Sequence, residues 1–70
     1  MKSLSAKEIV KILIKRGFIL VRRKGSHEIY SHAKSRIMVP IPFHGGGKPL
    51  PIGTFMAIVK QSKIPKSEFK

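Results

Sequence analysis

The chain has no cysteine and no tryptophan, a single tyrosine, and only three acidic residues, Glu8, Glu28 and Glu68. Without cysteine there are no disulfides and no thiolate metal sites, and a reducing cytoplasm is the expected compartment. Three scattered carboxylates do not make the acidic cluster that metal-assisted phosphoryl chemistry uses. The histidines, His27, His32 and His44, lack helical ligand spacing, so no metal and no cofactor is expected. No apolar run approaches the ~20 residues that span a bilayer. Residues 1–5 lack the long apolar stretch of a signal peptide, so no membrane association is expected.

What the chain has is positive charge. Lysine and arginine total 15 of 70 residues, for a formal net charge of +12. Such a field favours a polyanion: nucleic acid, an acidic partner protein or, the weakest of the three, an anionic membrane. The length predicts one domain over residues 1–70. A chain of this size buries roughly 60% of its unfolded surface, which leaves no room for both a core and a large substrate cavity.

The first segment reads as a helix. Ser5 and Glu8 match a capping box, in which hydroxyl and carboxylate each satisfy a backbone N–H. Ala6, Ile9, Val10 and Leu13 recur at helical spacing and form one apolar face. Lys7, Lys11 and Lys15 fall opposite, as a solvated stripe or a backbone-binding one. Gly17 ends the helix. A second helix is predicted from about Pro51 to Ser62, with Ile52, Phe55, Met56 and Val59 as its apolar face. Proline suits its first turn, where a missing N–H is no loss. Ile12, Ile14 and Ile58 flank the two apolar faces, as further core or as interface. The tail carries Pro65 and a last short turn near Ser67–Phe69.

Between the helices lie three predicted strands. Phe18 to Arg23 is rich in large and β-branched apolar residues. Gly25-Ser26 is a two-residue turn with glycine first, suited to type II′. His27 to Ser31 returns. That turn pairs Lys24 with His27, Arg23 with Glu28, Arg22 with Ile29, and Val21 with Tyr30. His27 then shares a face with Lys24, Arg22 and Ile29, while Arg23–Glu28 is a favourable charge pair. Arg36 to Ile41 is the third strand. Pro40 cannot donate to a ladder, so that strand is at an edge or ends there. His32 to Ser35 is a polar connection, and residues 43–49 form a loop with three successive glycines. The fold class is α+β, in the order α-β-β-β-α, with both helices on one face of a three-stranded antiparallel sheet.

Several stretches together resemble one family. They are Leu-Ile-Lys-Arg-Gly-Phe at 13–18 and Arg-Arg-Lys-Gly-Ser-His-Glu-Ile-Tyr at 22–30. Val39-Pro40, His44, Gly53-Thr54-Phe55 and Ile58-Val59-Lys60-Gln61 follow in order. This pattern resembles the HicA toxins, small mRNA interferases with a fold like the double-stranded RNA-binding domain. The resemblance implies a type II toxin–antitoxin pair, RNA cleavage in translation arrest, and neutralisation by a HicB-like antitoxin. It places the catalytic histidine at His27, within Gly25-Ser26-His27. The Gly45-Gly46-Gly47 run with Pro49 and Pro51 departs from the family's shorter, more polar loop, so the role of this loop is open.

RNA carries its own nucleophile, the 2′-OH. An enzyme need only remove its proton, stabilise the crowded phosphate and protonate the departing 5′-oxygen. One histidine supplies one of those transfers, with a typical gain of 10²–10⁴-fold, and nearby cations stabilise the developing charge. The expected RNA-binding residues are Arg22, Arg23, Lys24, Gly25 and Ser26 at the hairpin, with Lys7 and Lys11 on the first helix. His44 is a second, weaker candidate for proton transfer, and His32 reads as a turn residue. The antitoxin is expected to cover the His27 face. Two alternatives stand beside the nuclease: a non-catalytic RNA-binding module of the same fold, and an interaction protein that docks an acidic partner.

Overall fold

A computed structural model describes residues 2–43 and 46–69. The elements are α1 (Ala6–Lys15), β1 (Phe18–Lys24), β2 (His27–His32), β3 (Met38–Pro42) and α2 (Ile52–Ser62), followed by a short 3-10 turn (Lys66–Glu68). The strands form an antiparallel sheet in the order β1-β2-β3. The order α-β-β-β-α is the α+β class predicted from the sequence, and Pro40 lies on an edge strand as expected.

The capping box is present. The Glu8 N–H donates to the Ser5 hydroxyl at 3.2 Å, and the Ser5 N–H donates to a Glu8 carboxylate oxygen at 3.0 Å. The bond from the Ser5 backbone, with help from its hydroxyl, holds the Glu8 carboxyl below its ordinary 4.5. Ile9 and Leu13 of α1 meet Phe55, Ile58 and Val59 of α2 over Phe18, Tyr30, Val39 and Ile41 of the sheet. One face of the sheet is therefore core. The other carries His27, Ile29, Met38 and Pro40.

On α2 one open alternative is settled and one assignment changes. Ile58 belongs to the core, whereas Ile52 is 55% exposed at the helix start. The buried residues of α2 are Phe55, Ile58, Val59 and Ser62, so the helix is covered from Phe55 onward and Ile52, its first residue, is left in solvent. The third strand also starts later than predicted. Arg36 adopts a left-handed backbone (φ 62°) in the turn, so pairing begins at Met38.

The glycine loop is lashed to the start of α1. The Lys7 N–H donates to the Gly46 carbonyl at 3.1 Å, and the Leu50 N–H to the Leu4 carbonyl at 3.0 Å. Gly46 has a φ of +77°, and a Cβ there would meet the Phe43 ring at 2.8 Å. Part of the glycine run is thus a packing requirement: the chain passes under an aromatic ring and supplies a helix N-terminus with an acceptor.

Candidate nucleic-acid interface

The hairpin is built by its turn and then corrected by a bulge. Gly25 takes a positive φ of 60° and Ser26 does not, as a type II′ turn requires. From the turn, Lys24 pairs with His27, Arg23 with Glu28 and Arg22 with Ile29, as predicted. The fourth predicted pair, Val21 with Tyr30, is replaced. Tyr30 faces Leu20, and the register shifts between Leu20 and Arg22, which leaves Val21 as the extra residue.

The reason is a conflict of phase. Phe18 must point into the core, and strict alternation from it would send Leu20, Arg22 and Lys24 inward too. Two adjacent cations on the core face would be buried without partners. One inserted residue resets the phase. Arg22 and Lys24 then share the outer face with His27, and Arg23 points to the core side.

There Arg23 has a partner. Its guanidinium donates to one oxygen of Glu28, and the Tyr30 hydroxyl donates to the other at 2.8 Å. Glu28 is only 7% exposed, so both carboxylate oxygens are satisfied where water is scarce. Desolvation, and then the carboxylate it bonds, push the Tyr30 hydroxyl up to about 12. A recess of about 290 Å³ beside this network is lined by Arg23, Gly25, Ser26, Glu28 and Phe43.

The predicted residues therefore fall into three groups. Arg22, Lys24 and His27 lie together on the exposed sheet face, next to Ile29, Pro40 and Pro42 of the neighbouring ladder positions. Arg23, Gly25 and Ser26 line the recess at the hairpin tip. Lys7 and Lys11 are exposed on α1, in the helical layer. The sequence did not show that Glu28 would be buried or that Tyr30 would bond to it. Alternation between Glu28 and Tyr30, with Val39 and Ile41 opposite, was the available signal.

The other histidines differ. The N–H groups of Lys34 and Ser35 donate to His32 Nδ1 at 3.2 and 3.1 Å, and the ring stands edge-on to Phe18 at 5.2 Å. His32 is therefore not a turn residue as expected: it ends β2, paired with Phe18, and its ring accepts from the turn that follows. His44 lies outside the described residues. Among the described residues no group of three or more histidine, cysteine or acidic side chains is placed to hold a metal ion.

This is a small, strongly basic α+β domain with a histidine set among cations on an open sheet face. The chain belongs to the HicA toxin family: the model of the HicA toxin of bacterial toxin–antitoxin systems matches residues 6–64. Among curated proteins, none matches the chain. The family role is that of a toxin with an antitoxin partner. No helix among the described residues is long and apolar enough to cross a membrane.

Proposed function

We propose that this toxin is a metal-independent endoribonuclease that cuts mRNA, with His27 as its catalytic residue. The observation that carries this reading is the bulge-set clustering of Arg22 and Lys24 on the face of His27. An imidazole can carry a proton to or from RNA at neutral pH. The two cations stabilise the charge that gathers on phosphate as the 2′-oxygen attacks. His27 takes the 2′-hydroxyl proton or gives one to the 5′-oxygen. The products are a 2′,3′-cyclic phosphate and a 5′-OH end.

Arg23, Gly25 and Ser26 hold the RNA backbone at the hairpin tip, and Lys7 and Lys11 extend the contact over α1. These groups read phosphates, not bases. The partner is a HicB-like antitoxin that covers the His27 face and acts in the same cytoplasmic compartment. Ile19 and Met38, 56% and 49% exposed on this face, suit such a cover.

RNA degradation by purified protein, with and without EDTA, beside a folded His27→Ala variant, tests the proposal. Wild type should cut in EDTA and leave cyclic phosphate ends, and the variant should lose at least ~10²-fold in rate. Products with 5′-phosphate, or loss of activity in EDTA, would overturn the mechanism. If neither protein cuts but both bind RNA, the chain is a binding module.

A further inference from the structure

Along α2 runs a groove of about 620 Å³, within the range of functional pockets. Met56, Ala57 and Pro65 contribute apolar surface, and Lys60, Lys63 and Lys66 also line it. Its shape follows from how α2 ends. Lys63 takes a left-handed backbone (φ 64°), and the Ile64 N–H donates to the Ser62 hydroxyl at 3.1 Å. The chain turns back there, Ile64 is buried, and residues 64–66 become the second wall.

The groove lies away from the hairpin. α2 buries Phe55, Ile58 and Val59 against the sheet, so Ala57 and Lys60 occupy its outward side. His27 is on the far face of the sheet. An occupant of the groove leaves His27 uncovered.

The lining names its ligand. Among the described residues, three lysines line the groove and no acidic residue does. The acids of the chain are engaged elsewhere: Glu8 caps α1, Glu28 holds Arg23 and Tyr30, and Glu68 pairs with Arg16 at 3.5 Å. A bare polyanion would satisfy the ammonium groups but would bury nothing against Met56, Ala57 and Pro65. A protein segment that carries apolar side chains among aspartates and glutamates satisfies both. We infer that this groove docks an acidic, apolar-anchored segment of a partner protein, at a site separate from the His27 face. The inference does not depend on nuclease activity.

Fluorescence anisotropy with a labelled synthetic peptide of leucines interspersed with glutamates tests it. Polyglutamate of equal charge, a single-stranded RNA oligonucleotide and phosphatidylglycerol vesicles are the comparison probes. The mixed peptide should bind wild type about tenfold tighter than polyglutamate, because only it has apolar groups to bury. Ala57→Glu, at an exposed helix position where glutamate is a good helix former, and the double variant Lys60→Glu/Lys66→Glu should each weaken it about tenfold. His27→Ala should leave it unchanged. Amide shifts of the wild-type protein on titration should move at Ala57, Lys60 and Ile64 and not at residues 24–29, a result that needs no variant. Equal binding of polyglutamate, unchanged affinity in the groove variants, or shifts confined to the hairpin would overturn the inference. So would RNA or vesicles moving the groove amides while the peptide does not.

Discussion

At the scale of single residues, the least expected group is Glu28. It is one of three acids in a chain of net charge +12, and it is buried. An isolated carboxylate could not be buried cheaply. Two donors from two strands make it tolerable, and in return it fixes Arg23 on the core side of the hairpin. Tyr30 carries the signature of this arrangement. Its hydroxyl ordinarily titrates at 10.0 and is pushed up to about 12 in the fold. The folded state therefore holds that proton more tightly than the unfolded chain. The resulting stability is complete below pH ~10 and is lost as the pH climbs towards ~12. Lysines titrate in the same window, so the comparison must be with a variant that shares them. In urea titrations across this range, wild type should lose stability more steeply than Tyr30→Phe. Parallel curves for the two proteins would show that Tyr30 contributes nothing to the alkaline slope.

At the scale of elements, the question is what sets the face of a strand. The Gly25-Ser26 turn fixes three pairs beyond it, and those pairs were legible because turn type and loop length determine local register. Both helices were legible for a similar reason, since the capping box and the spacing of Ile9 and Leu13 are local signals. The bulge at Val21 was not, because it reconciles two demands that act from opposite ends of β1. Phe18 is fixed by the core and Lys24 by the turn, and only the tertiary structure shows that they disagree by one residue. The buried position of Glu28 and the lashing of Gly46 over the start of α1 were hidden likewise, since each depends on chain segments far apart in sequence. Deleting Val21 should expose the conflict. Either Phe18 leaves the core, at ~3–5 kcal/mol for a large aromatic, or Arg22 and Lys24 leave the face of His27. The first outcome lowers the urea midpoint, and the second keeps it but weakens RNA binding. A deletion that preserves both stability and RNA affinity would show that the bulge does not set the face.

At the scale of the whole molecule, the positive charge is divided between two layers. Arg22 and Lys24 lie on the open sheet face, whereas Lys7 and Lys11 lie on α1. The molecule measures 29 × 28 × 17 Å, and the thin dimension matches a sheet with one helical layer. If the proposed RNA-binding role holds, an RNA short enough to stay on the sheet should meet the first pair of cations alone. A longer one that bends around the edge should meet both pairs. Each phosphate neutralised on a single strand adds ~0.7 to the slope of log affinity against log salt. Replacing Arg22 and Lys24 together by alanine should then lower that slope by ~1.4 for RNA of any length. Replacing Lys7 and Lys11 should leave the slope of a short oligonucleotide unchanged and lower it only for longer RNA. Salt titrations of the two double variants against a short and a long RNA separate these effects. Equal loss of slope from both variants on the short oligonucleotide would mean that the strand runs over α1 from the start. The phosphate track would then have to be drawn along the helix instead of across the sheet.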